Sequence, residues 1–369
     1  MFMELFHSSV QFHLYNYIKN SHHFIPDTRV TSGNFNLTNA LGQYDAQWYL
    51  RNATLGYPKN PVNEDIDNKS SMGGLSYAFF PLYPTLISIP NMLIGNVEYS
   101  AFLLTNLLMV LNFFSLFFIL GKIFDRRIVL KTIFLLFLFP FSIFYRSYFS
   151  EGIFLFILIW FFYFWQTSKF HASSLLLGLL NITRGSAVLL FPIYFYDLFK
   201  EIKNKKLTLE VFAKNLITAF LPLSIWTFLV YLNTGDFLYF FRVREAWTQN
   251  LNTFMLVTDN INSMLGFFSS YFHELDSSKV ETIIILVSAV ILFISRKILP
   301  RKLLLIGFSL WLTPLLFSTT MSFSRFQSVS FPLFLYLATI LKGRSYYLVA
   351  GIFGILLFIV SFYSVLIFY

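Results

Sequence analysis

The chain has 369 residues, of which 56% are hydrophobic, 21% aromatic and only 12% charged, with a mean hydropathy of +0.64. A soluble domain of this length carries about twice that share of charge, and the long apolar runs lack the strict alternation of a transmembrane β-barrel. The net charge of +9 comes from basic clusters lying between apolar runs, which reads better as a topology signal than as a nucleic-acid-binding face. With no cysteine, neither a disulfide framework nor a cysteine-ligated metal site is available.

Residues 1–19 form a marginal first span, and Met1 to Tyr17 lacks the small-residue cleavage site of a signal peptide. Orientation follows from placing in the cytoplasm the basic groups around Lys122–Lys131, Lys169, Lys200–Lys206, Arg296–Lys302 and Lys342–Arg344. Residues 20–98 are then a folded first external loop. Its end, Tyr77 to Ile94, is short and holds Pro81, Pro84 and Pro90, so it is expected to lie along the outer interface as a helix.

Residues 99–232 form a transmembrane bundle. Ser100–Gly121, Val129–Phe144 and Gly152–Gln166 are successive crossings, and Ser173–Phe199 is too short for two full spans although both its ends are basic. That combination predicts a broken hairpin with its tip near Asn181–Gly185, unwound backbone of the sort tolerated where it lines a cavity. Ala213–Leu232 crosses outward into a second external segment, residues 233–279, which holds Arg242, Arg244, Glu245, Trp247 and Gln249. Residues 280–369 supply the C-terminal helices. The expected class is an all-α polytopic membrane protein with about ten or eleven transmembrane helices and interfacial helices on the outer side.

Ionisable groups at membrane depth are costly, so they are usually functional or paired. Asp45, Glu151, Arg184 and Arg325 all fall at outer ends of spans or in the first external loop. One or two carboxylates with several arginines suit a phosphorylated lipid substrate: the guanidinium fork matches phosphate oxygens, and a carboxylate can take a proton from an attacking hydroxyl. Plainer roles stand beside these. Asp45 could cap the helix beginning at Ala46, Glu151 could favour a helix dipole, Arg184 could pair with Glu151, and Arg325 could snorkel to headgroups. Arg242, Arg244 and Trp247 read as an interfacial anchor. The His22–His23 pair has no third ligand nearby, so a zinc site is not expected.

Four motifs in order carry a resemblance. They are Tyr44-Asp45-Ala46-Gln47-Trp48-Tyr49 with Gly56-Tyr57; Phe79-Phe80-Pro81-Leu82-Tyr83-Pro84; Pro140-Phe141-Ser142 with Tyr148-Phe149-Ser150-Glu151; and Thr183-Arg184-Gly185. Together they resemble the PIG-V family, which includes the enzyme adding the second mannose in GPI-anchor assembly, and the match runs from about Ile25 to Pro192. Where that family usually has tryptophan before the aspartate, Tyr44 stands here and keeps an aromatic.

The resemblance implies a GT-C glycosyltransferase moving a hexose, by analogy mannose, from a polyprenyl-phosphate donor to a lipid-linked or glycan acceptor on the extracytoplasmic face. It implies Asp45 as catalytic base, with inversion at the anomeric carbon. Glu151 is carried with it as a second catalytic-site carboxylate shaping the sugar pocket. Arg184 and Arg325 are the expected phosphate contacts, and Trp48, Tyr49, Tyr83, Tyr148 and Gln249 the other substrate contacts. No cofactor is required, although Glu64, Asp65 and Asp67 could hold a divalent cation weakly. Expected partners are the donor, the acceptor and membrane lipid, with no nucleic acid. The alternatives are a lipid or glycan transporter, which would show inverted repeats and mid-membrane charges, and a non-catalytic assembly subunit. High Phe, Lys and Asn, the absence of Cys and the short length favour a prokaryotic plasma membrane over an endoplasmic reticulum membrane, the alternative for a eukaryotic chain.

Overall fold

The computed structural model describes residues 38, 41–42, 45–59, 72–244, 253–269, 277–318, 320 and 322–367, and the regular structure among them is helical. Helix α1, Ala46–Leu55, follows Asp45, and a 3₁₀ turn over Met72–Ala78 leads to α2, Leu82–Ile94. The single interfacial helix expected over Tyr77–Ile94 is therefore two pieces. Pro81 stands at the N-cap position of the second piece, and a proline disfavours helical backbone at the residue before it, which ends the preceding turn.

Helix α3, Val97–Leu120, is capped by the Asn96 side chain, which accepts from Tyr99 N. Its 24 residues reach about 36 Å, enough for the hydrocarbon of a bilayer. Helix α4, Arg126–Leu138, starts at Asp125, whose carboxylate accepts from Arg127 N. It ends sooner than expected because Phe139, ahead of Pro140, is held extended at ψ 135°. A 3₁₀ turn over Pro140–Tyr145 then leads to α5, Glu151–Gln166.

The expected hairpin is broken where anticipated. Helix α6, Phe170–Asn181, and α7, Leu190–Lys203, are separated by extended Arg184 and a 3₁₀ turn over Gly185–Ala187. Helix α8, Leu209–Thr234, is capped by Thr208 and stopped by Gly235 at φ +74°. Short α9, Tyr239–Arg242, follows, then α10, Thr253–Ser269, α11, Ser277–Ser295, and α12, Arg301–Phe317. A six-residue helix, α13, Phe323–Ser328, precedes α14, Phe331–Ile340, and α15, Arg344–Ile367. Helices α3 and α8, with Arg344–Phe362 of α15, are long and apolar enough to cross a membrane, and α2, α5, α6 and α14 are shorter apolar helices.

Most helices share one buried aromatic and aliphatic core, with a smaller cluster around Tyr77, Trp226, Val230 and Val243. Close approach of α6 to α8 depends on Gly178, where a Cβ would sit 2.5 Å from the Ala219 carbonyl oxygen. The same crossing is pinned by polar groups. Tyr194 Oη shares hydrogen bonds with Ser173 and Ser174 at 2.7 and 3.0 Å, and Ser174 donates to Asn215 Oδ1 at 2.9 Å. In contrast, α15 turns Leu348, Ile355, Phe358 and Ile359 outward, as a lipid-facing helix would.

Candidate functional site

Asp45 occupies the N-cap position of α1, yet its side chain makes no capping hydrogen bond. Its Oδ2 instead meets Arg325 Nη1 at 2.9 Å, and the carboxylate stays 28% exposed. The helix behind it is fixed by aromatic packing. Trp48 stacks on Phe79 at 5.7 Å, while Tyr49 sets its edge against Phe79 and Tyr83 at 5.3 and 5.2 Å. Tyr49 Oη shares a 2.9 Å hydrogen bond with Ser150 Oγ, which ties α1 to the start of α5.

The next residue, Glu151, is fully buried. Its Oε1 accepts from Arg325 Nε and also pairs with Arg184 Nη1, while Oε2 has no hydrogen-bond partner among the described residues. The four side chains thus run Asp45–Arg325–Glu151–Arg184, two cations alternating with two anions. Each guanidinium lies against an aromatic face, Arg325 over Phe149 at 4.3 Å and Phe144 at 4.9 Å, and Arg184 over Phe326 at 4.9 Å. Alternation of charge with aromatic support offsets much of the cost of removing these groups from water.

Asp45, Arg184 and Arg325 face one cavity of about 260 Å³, together with Arg244. Tyr49, Phe80 and Phe317 give it aromatic wall, and Thr183, Ser186 and Ser318 add hydroxyl groups. Arg244 Nη2 donates to the Phe317 carbonyl oxygen at 2.6 Å. Burial lowers the pKa of its guanidinium from the ordinary arginine value, the direction expected when a cation loses water. A cavity with this lining can hold an anion beside a carboxylate able to accept a proton.

The expected site residues are divided by this geometry. Asp45, Tyr49, Arg184 and Arg325 line the cavity. Glu151 stands behind the two arginines as their shared counter-ion, which corrects the expectation that it shapes a sugar pocket. Trp48, Tyr83 and Tyr148 are fully buried in the packing around α1. Tyr83 Oη is bonded to Thr105 Oγ1 at 3.1 Å, and the Tyr148 ring lies 3.2 Å from where a Gly42 Cβ would be. None of the three lines the cavity, so they support its wall. Gln249, with Glu245 and Trp247, and the acidic set Glu64, Asp65 and Asp67 lie outside the described residues. Among the described residues no three or more His, Cys, Asp or Glu side chains gather as a metal site.

Two plainer readings fail on geometry. Arg325 is 9% exposed and paired with both carboxylates, so it does not snorkel, and Asp45 does not cap. The pairing of Arg184 with Glu151 is present. Sequence reasoning missed Arg244 as a cavity residue, since an Arg-x-Arg pair beside Trp247 carries no spacing that separates a cavity wall from an interfacial anchor. Arg242, by contrast, is exposed and bound to Asp236. Compared with protein-family models, curated proteins and solved structures, the chain gives no match.

Proposed function

We propose that the protein is a multi-pass membrane glycosyltransferase that moves a hexose from a polyprenyl-phosphate donor to a lipid-linked or glycan acceptor. A reading of about ten or eleven passes, counted from apolar runs and basic loops, favours an extracytoplasmic cavity. One observation carries the reading: a partly exposed carboxylate and two arginines from distant segments line the same cavity. The motif resemblance to the PIG-V family supplies the substrate class, with mannose as the expected sugar.

In the mechanism, an acceptor hydroxyl attacks the anomeric carbon, and the bond from that carbon to the phosphate oxygen breaks with its electrons going to phosphate. Asp45 takes the hydroxyl proton. A single displacement of this kind inverts the anomeric carbon. The 2.9 Å pairing of Asp45 with Arg325 couples the two ends of the reaction. As Asp45 gains a proton it ceases to neutralise Arg325, so positive potential rises in the cavity as the phosphate gains negative charge. Arg184 is the second phosphate contact, and Glu151 keeps its charge throughout and holds both guanidinium groups in place.

The test is transfer of labelled mannose from a short synthetic polyprenyl-phosphate mannose by the purified protein, with a membrane lipid extract as acceptor. Wild type should transfer label and Asp45→Asn should not. Equal transfer by a folded Asp45→Asn protein removes Asp45 as base, and a wild type that neither binds nor consumes the donor overturns the reading.

A further inference from the structure

Helix α13 carries Arg325 into the cavity, yet it has only six residues, too few to hold itself in place. It begins after Ser322, whose backbone is left-handed at φ +64°, so its entry angle is imposed from outside. Besides the ion pairs of Arg325 itself, three tethers reach it. Tyr145 Oη donates to Ser328 O at 2.6 Å, and Gln327 Nε2 donates to Leu310 O at 3.2 Å. The third is the charged one: Glu281, in the second turn of α11 and 9% exposed, accepts from Ser324 N at 2.6 Å through Oε2 and from Ser324 Oγ at 2.8 Å through Oε1. Both oxygens of one buried carboxylate are thus spent on the residue adjoining Arg325, a short charge-assisted pair of bonds that fixes direction as well as position.

We propose that Glu281 is a positioning residue of the cavity, setting through Ser324 how far Arg325 reaches towards Asp45 and Glu151. Glu281 does not line the cavity and touches no substrate there; it acts through Arg325. The inference rests on the cavity being an anion-handling site, and it requires no measurement of sugar transfer.

Because the chain has no cysteine, a Ser318→Cys substitution places a single thiol on the cavity wall. The ratio of its modification rates by an anionic and a cationic methanethiosulfonate of similar size reports the potential there. Arg325→Gln should lower the anion preference about three- to tenfold. Glu281→Ala removes a negative charge and by Coulomb's law alone would raise that preference. The proposal expects the reverse, a fall comparable to that of Arg325→Gln, because Arg325 is released from the wall. In the Arg325→Gln background, Glu281→Ala should produce no further fall, since the two act through one group. Ser324→Ala, which keeps the charge of Glu281 and loses one of the two bonds, should shift the ratio the same way and serves if Glu281→Ala does not fold.

A rise in anion preference on Glu281→Ala in both backgrounds, or no change on Ser324→Ala, overturns the positioning role and leaves the cavity reading intact. A ratio indifferent to Arg325→Gln overturns both, since Arg325 would then not govern the cavity.

Discussion

Asp45 and Arg325 are separated by 280 positions in the chain and joined at 2.9 Å. The first belongs to the loop region ahead of the bundle and the second to a short helix near its C-terminal end, so the cavity exists only once both ends of the chain have packed. Since Glu151 also holds Arg325, losing Asp45 does not leave the guanidinium without a counter-ion. Asp45→Asn should therefore leave thermal unfolding in detergent nearly unchanged while lowering sugar transfer about 10²–10⁴-fold, the usual span for loss of a general base. A large drop in unfolding temperature would make Asp45 structural.

Removal of Arg325 should behave differently. Arg325→Met leaves fully buried Glu151 with Arg184 as its cation, and breaking a buried ion pair from one side costs about 3–5 kcal/mol. Pairing it with Glu151→Gln, which removes the excess negative charge and leaves one carboxylate (Asp45) and one guanidinium (Arg184) in the group, should recover part of that loss. Thermal or denaturant unfolding of the single and double variants measures the difference, and additive losses would contradict the pairing.

Asn260 in α10 holds the strand of backbone leading into α13 by three bonds. Its Nδ2 donates to Leu315 O at 3.0 Å and Ser318 O at 2.9 Å, and its Oδ1 accepts from Thr320 N at 3.1 Å. Asn260→Ala should cost about 1–3 kcal/mol and speed amide exchange over residues 315–320. Asn260→Asp should be no better, because a carboxylate would face two carbonyl oxygens. Exchange rates matching wild type in either variant would show that the segment is held by something else.

Gly178 and Gly351 make a matched pair. At Gly178 an added methyl meets the Ala219 carbonyl at 2.5 Å, whereas at Gly351 nothing lies within 4 Å. Gly178→Ala should destabilise by about 1–3 kcal/mol as α6 and α8 are pushed apart, and Gly351→Ala, on an open helical face, should stabilise by up to about 1 kcal/mol. Unfolding measurements with equal effects at the two positions would mean that the α6–α8 approach is not tight.

Much of this was legible in the sequence where chemistry is written locally. Most apolar runs mark helices close to their observed limits, the exceptions lying at Pro81 and Pro140, and a hairpin too short for two spans marks the break at Arg184. Aspartate among aromatics marked Asp45. What was not legible depends on contacts between distant segments. Ser322–Ser328 is too short to show a helical period, so α13 was invisible, and with it the reason Arg325 meets both carboxylates. Glu151 stands at a helix start and could as well have faced substrate; only packing puts it behind two guanidinium groups. Trp48 and Tyr83 carry the composition of a sugar site but turn inward, because large aromatics beside a short helix also satisfy the need for core.

The hydroxyl relay of Ser173, Tyr194, Ser174 and Asn215 fastens α6, α7 and α8 to one another on the far side of the hairpin from its tip. Three helices fastened in this way make one common footing for the break between α6 and α7, so Arg184 is presented to Glu151 from a stretch anchored on both sides.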